Sequence, residues 1–262
     1  MRNAVTARAM AVLAALILFP RPARAQIPER FTNLEVLPKE VSRADLVQTM
    51  REWATALGVR CVHCHKGGNP DTLEGVDFPS DEKWEKRTAR SMFRMLGALN
   101  ADYVGKIEAR PVRADAPTPA RVTVACITCH RGLARPETLD AVLDRVLRAE
   151  GPEAAVRSYK ELRSQYLGRG SYDFSERPVN GLAERLMREG RNREAALLLE
   201  ASAEFNPEAA WLQHLLGEAR LAEGDRPRAL AAFTRALALN PENSQTRKRL
   251  EGLKATTEPR RQ

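Results

Sequence analysis

The sequence predicts an all-α protein in two parts, a small helical module followed by a solenoid of paired helices. Three observations predict it. Apolar residues recur at helical spacing, as in Leu46, Val47, Met50, Trp53, Ala54 and Leu57. Beyond Pro136 the composition turns to alanine, leucine, arginine and glutamate. Two segments there, "EGRNREAALLLEASAEFNP" and "EGDRPRALAAFTRALALNP", repeat with one period: Gly190 to Gly224, Ala195 to Ala229 and Asn206 to Asn240 are each 34 residues apart.

The chain has 262 residues, a length suited to two domains. The first 25 residues read as an exported leader rather than as fold. Arg2 and Arg8 give a basic start, an apolar run follows from Met10 to Phe19, and Ala23-Arg24-Ala25 offers a small-x-small exit before Gln26. An apolar run of that length is too short to span a bilayer, which takes about 20 residues. The expected mature protein is therefore soluble and periplasmic, cut after about Ala25. Loss of the leader's four arginines lowers the formal charge from +8 to +4. The remaining basic residues are spread without a run, so nucleic acid is excluded as a partner and a membrane is reached only through a partner complex.

The first helix is expected from a Ser42 N-cap to a stop at Gly58. Directly after it stands Cys61-Val62-His63-Cys64-His65, and the pattern returns as Cys126-Ile127-Thr128-Cys129-His130. All four cysteines of the chain lie in these two pentads. A disulfide or thioredoxin-like pair needs no histidine directly after the second cysteine, still less twice. Zinc takes four ligands, and one pentad supplies three. Covalent attachment of c-type haem uses this signature. Two thiols one helical turn apart meet two porphyrin vinyl groups, and the next histidine reaches the iron. Two covalently bound c-type haems are thus expected, on Cys61 and Cys64 and on Cys126 and Cys129, with His65 and His130 as proximal iron ligands. His63 is expected to face away from the iron. Arg60 and Arg131 flank the attachment sites as candidates for pairing with propionates.

The distal ligand decides between a carrier and a catalyst, because a thioether closes the sixth position. Met50 lies on the apolar stripe of the first helix. A second helix is expected to be capped by Ser80, with Asp81 and Glu82 at its positive end, and to run to about Val104. Met92 and Met95 share one face of it; Met92 is the preferred distal ligand and Met95 the alternative. "RPVRADAPTPARVTV" then reads as an irregular connection to Cys126.

Asn33 to Arg135 resembles the cytochrome c subunit of photosynthetic reaction centres and its non-photosynthetic relatives. The matching stretches are "NLEVLP", "LVQTM", the first pentad, "DFPSDEKWEKRTARSMFRM", Asn100 and "CITCHRG". In that family each haem is served by a helix, a turn and then the pentad, with methionine ligands from the preceding helix. The resemblance implies Met50 for the first haem and Met92 or Met95 for the second. The reaction-centre subunit carries four such units and this chain two, so a di-haem electron-transfer module carries over rather than photosynthesis.

The expected domains are a cytochrome domain at 27–135 and a repeat domain of tetratricopeptide period at 137–257. In the latter, Leu139–Glu150 and "EGPEAAVRSYKELRSQY" make a degenerate first pair, "GRGSYDFSERP" a longer loop, and Ser244–Lys254 a polar closing helix. His214 is expected on a surface-type helix without a role. The repeat half holds no cysteine and no clustered catalytic constellation. The function read from all this is a periplasmic di-haem carrier passing electrons between donor and acceptor proteins docked in the repeat groove. The alternative is a di-haem, peroxidase-like enzyme with one open iron position.

Overall fold

The computed structural model describes residues 27–108, 113 and 122–255. The expected leader, and most of the expected connection before Cys126, lie outside the described residues. Of the described residues 64% are helical and none forms a strand; an isolated bridge joins Lys66 to Asp77. The fold is all-α, as the periodicity predicts. No helix among the described residues is long and apolar enough to cross a membrane.

The chain divides into two compact units. One holds the described residues up to Val41 together with Arg60–Arg90, and the other holds Ser42–Val59 and the described residues from Ser91 on. Helix α1 (Arg43–Leu57) belongs to the second unit. Its ends are those the sequence announces. The Ser42 hydroxyl accepts the Asp45 N–H at 3.1 Å, and Gly58 closes the helix at φ 66°. The first unit contains the one-turn helix α2 (Cys61–Cys64) and the irregular segment after it.

Helix α3 (Trp84–Ala98) begins later than expected. Ser80 is not its cap: the Ser80 hydroxyl accepts the Glu82 N–H at 3.3 Å in a turn that precedes the helix. Three side-chain bonds from Lys86 hold the carbonyls of Phe78, Pro79 and Ser80 and so fix that non-helical turn ahead of α3. Beyond Ala98 the helix continues as a π turn (Leu99–Tyr103) and a short 3-10 turn (Val104–Lys106). The one-and-a-half-turn helix α4 (Cys126–His130) carries the second pentad.

In the second unit the repeats follow as pairs: α5 (Leu139–Glu150) with α6 (Pro152–Tyr166), α7 (Glu176–Arg188) with α8 (Asn192–Ala203), and α9 (Ala210–Ala222) with α10 (Arg226–Leu239). Helix α11 (Ser244–Ala255) closes the stack. The starts of α7 and α9, and of α8 and α10, are 34 residues apart, the period of the sequence repeat. Gly190 and Gly224 take the same left-handed turn, at φ 77° and 83°, between the helices of each pair. Leu139, Leu143, Tyr159, Leu182, Leu186, Leu199 and Leu212 form one continuous core from pair to pair, the nearest-neighbour burial that a solenoid requires. Arg220 is buried against Glu200 and Glu223.

His214 corrects the sequence reading. It is 1% exposed, stacks on Trp211 with ring centroids 4.5 Å apart, and meets the Thr246 hydroxyl at 3.0 Å through Nδ1. Its helix is covered on that side by α11, so the histidine is a core residue that ties the closing helix to the last pair.

Candidate functional site

The first pentad lies in the first unit. Arg60 precedes α2 in extended conformation, and its guanidinium pairs with Asp71 at the surface. Cys61 and Cys64 bracket the turn, so their side chains leave one side of it. His65 stands just past the helix, at φ −107° and ψ 144°, yet its N–H still bonds the Cys61 carbonyl at 3.0 Å. The imidazole is half-buried, with its ring edge-on to Phe78 at 5.0 Å. Its Nδ1 lies 3.1 Å from the Phe78 carbonyl. A carbonyl only accepts, so Nδ1 carries the proton and Nε2 presents its lone pair. Burial, and then the positive charge of Lys86, push the His65 pKa down and keep the ring neutral. Burial raises the Cys64 thiol, with the Glu85 charge adding to it. His63 is also half-buried, and its backbone carbonyl accepts from Lys83 at 3.4 Å.

Behind His65 lies a network of buried cations. Lys86 Nζ donates to the carbonyls of Phe78, Pro79 and Ser80 at 2.8, 2.9 and 2.9 Å and faces Asp81 at 3.0 Å. Arg90 bonds Glu35 and Asp81 at 2.8 and 2.9 Å and the Asn33 carbonyl at 3.1 Å. Bonds from Arg90 first, then from Asn33, hold the Asp81 carboxyl well below the usual carboxylate range. None of these residues was singled out from the sequence as serving the histidine.

The second pentad lies in the second unit. Asn100 clamps the segment that leads into it, donating to the Val124 carbonyl and accepting the Val124 N–H, each at 2.8 Å. Thr128 Oγ1 accepts the Ala125 N–H at 3.0 Å. Arg131 ends α4 in the left-handed region at φ 48°, and its side chain is exposed. Gly132 then donates its N–H to the Ala56 carbonyl at 2.9 Å, joining the turn after His130 to the end of α1. Ser171 secures the same turn by donating to the Arg131 carbonyl at 2.7 Å. His130 repeats the arrangement of His65: its Nδ1 meets a backbone carbonyl, that of Leu133, at 2.8 Å. Burial raises the Cys126 thiol.

Of the sixth-ligand candidates, Met50 is half-buried on α1, while Met92 and Met95 are 46% and 56% exposed. Phe93 between them packs on Trp53 of α1 with centroids 5.0 Å apart. Ile127, inside the second pentad, is 48% exposed. Open methionines and an isoleucine on the unit that carries the pentad are side chains that an apolar disc would cover.

The donor set fits haem. All four cysteines are free thiols, paired across single helical turns, and each is followed by an imidazole whose Nδ1 is already held by a backbone carbonyl. Fixing the far nitrogen of a metal-binding histidine is the usual way its tautomer and ring orientation are set. Among the described residues no three His, Cys, Asp or Glu side chains converge as a cage for a metal ion.

An all-α chain with two Cys-x-x-Cys-His turns ahead of a helical-repeat stack is a c-type cytochrome with an appended solenoid in its class. The family model described as "Photosynthetic reaction centre cytochrome C subunit" matches residues 11–191, and the chain belongs to that family. Membership implies covalently bound haem and an electron-transfer role, in a family whose members are periplasmic or membrane-associated. The match runs past the second pentad, through the first helix pair and α7, to the turn before α8. No curated protein matches the chain. Solved structures similar to it include the first TPR of Spaghetti (RPAP3) bound to the HSP90 peptide SRMEEVD, 16% identical, covering 45% of this chain and 89% of that one at a TM-score of 0.32. The NMR structure of the first TPR domain of human RPAP3 is 15% identical, covering 45% and 87% at a TM-score of 0.32. The crystal structure of MamA is 19% identical, covering 44% and 64% at a TM-score of 0.32.

Proposed function

We propose that the protein is a periplasmic di-haem electron carrier whose helical repeats hold a protein partner. One haem is bonded to Cys61 and Cys64 with His65 on the iron, the other to Cys126 and Cys129 with His130. Met50 serves the first iron as thioether ligand, and Met92, or Met95 in its place, serves the second. The leader at residues 1–25 carries the chain to the periplasm and is removed after about Ala25.

The observation that carries this reading is the matched treatment of the two pentad histidines. Each Nδ1 is held by a backbone carbonyl, at 3.1 and 2.8 Å, leaving each Nε2 as the free donor. A bound haem supplies a one-electron couple between ferrous and ferric iron. The chain supplies the rest. Its cysteines would anchor the porphyrins, its histidines would present their Nε2 lone pairs in a fixed direction, and its thioethers would serve as the further iron ligands, which favour the reduced state. The repeat half supplies an extended surface, a property of stacked helix pairs, on which a donor or acceptor protein docks.

Pentad variants in a cytochrome-maturing host test the assignment. Cys61→Ala/Cys64→Ala and Cys126→Ala/Cys129→Ala are each expected to lower haem from two per chain to one. A double variant that leaves haem content unchanged refutes its pentad. Exposure of the reduced wild type to carbon monoxide tests the carrier against the enzyme: two closed irons leave the spectrum unchanged, and a shifted band marks an open site.

A further inference from the structure

A buried lysine near the first pentad calls for an explanation. Lys86 is 9% exposed, and taking an ammonium out of water costs far more than burying an apolar side chain of the same length. The structure offsets that cost with a complete set of acceptors. An ammonium has three protons, and Lys86 places them on three successive carbonyls, Phe78, Pro79 and Ser80, with the Asp81 carboxylate alongside. The first of those carbonyls is also the one that holds His65 Nδ1. Lys86 Nζ therefore lies within about 6 Å of the imidazole that takes the iron, joined to it through one shared oxygen.

The second pentad provides an internal comparison. The Leu133 carbonyl holds His130 Nδ1 at 2.8 Å, and among the described residues no lysine or arginine donates to it. The shared carbonyl of Phe78 holds His65 at the longer 3.1 Å. An acceptor already bonded to a cation gives less electron density to its second donor. A histidine with a weaker Nδ1–H bond is a poorer electron donor to its metal. A metal centre so ligated, beside a fixed positive charge, favours the reduced and less positive state.

We propose that Lys86 is a positioning residue for the first haem site: it locks the 78–80 turn, fixes the Phe78 carbonyl against His65, and raises the reduction potential of that haem alone. The proposal rests on the di-haem reading.

Potentiometric titration of the full-length holoprotein, followed by haem absorbance, tests it. Lys86→Met removes the charge and the carbonyl bonds while keeping an apolar chain. It is expected to lower one potential by about 59 mV, a tenfold change in the oxidised-to-reduced ratio for a one-electron couple, and to leave the other in place. The Cys126→Ala/Cys129→Ala form, which keeps only the first haem, identifies the wave that moves. Two unmoved waves, or two that move together, overturn the proposal. Protein that leaves the cytochrome-maturing host without haem refutes the di-haem reading instead, so the two failures are distinct. If Lys86→Met does not accumulate, the wild type suffices. The Lys86 side-chain ammonium is expected as a slowly exchanging nitrogen-proton resonance that shifts on reduction. A fast-exchanging signal with no redox response overturns the proposal.

Discussion

Replacing Gly58 by alanine would strike the point where the end of α1 meets the turn after the second pentad. Gly58 sits at φ 66°, and a Cβ there would come within 2.1 Å of the Gly132 carbonyl oxygen and 2.8 Å of its carbon. Both neighbours are backbone atoms, so no side chain can swing aside. The left-handed conformation costs a Cβ-bearing residue roughly 1–2 kcal/mol. Moving Gly132 away also breaks its hydrogen bond to the Ala56 carbonyl, worth about 1 kcal/mol. The expected loss is about 3 kcal/mol, a large share of a typical domain's stability. The local assay is amide exchange at Gly132, whose N–H makes that bond. At about 1.4 kcal/mol per decade, its exchange should quicken by roughly a hundredfold. Gly97→Ala on α3 is the control, because nothing lies within 4 Å of its added Cβ. It should stabilise the chain by about 0.5–1 kcal/mol through helix propensity. If Gly58→Ala unfolds with the wild type and Gly132 exchange is unchanged, the junction argument is wrong.

Other perturbations follow from the same structure. Asp81→Asn leaves Lys86 and Arg90 without their shared carboxylate and should cost about 2 kcal/mol in urea unfolding, discounted for the third of Asp81 that faces solvent. Because the Asp81 pKa is depressed in the folded state, its contribution is present above about pH 4 and is lost as pH falls below that; the Asn variant should lack this acid dependence. Burial lowers the His214 pKa, opposed by Glu218 and aided by Arg249. A base depressed on folding gives full stability above about pH 6.5 and loses it on acidification below that. His214→Gln should remove that part of the slope measured by urea unfolding from pH 7.5 to 5.5. Thr246→Val removes the hydroxyl partner of His214 Nδ1 and should cost about 1–3 kcal/mol, read as earlier amide exchange in α11. Met92→Ala should abolish the methionine-to-iron charge-transfer band of one haem, with Met95→Ala leaving it; the reverse result assigns Met95.

Much of this architecture was legible where local chemistry decides structure. Ser42 and Gly58 mark the ends of α1 because a hydroxyl cap and a left-handed glycine act within one turn. The 34-residue spacing locates α7 through α10 because each repeat must meet its neighbour in the same register. The two pentads were plain from residue type and spacing alone. What escaped was set by partners distant in sequence. Ser80 has the chemistry of a cap, but Lys86 claims the carbonyls of its turn and α3 starts at Trp84. His214 reads as solvated until α11 folds back and Thr246 reaches its ring. The carbonyls of Phe78 and Leu133, which orient both pentad histidines, carry no sequence signal, since every residue has one. A signal existed only for Asn100, whose amide can bond both edges of a passing backbone, as it does at Val124.

Intact mass spectrometry of the denatured chain, purified from the periplasm of a cytochrome-maturing host, tests the central claim most directly. Thioether bonds survive denaturation, so the expected mass is that of the chain from about Gln26 plus two haem groups. A mass equal to the polypeptide alone, or to the polypeptide with a single haem, contradicts the account of two covalent sites.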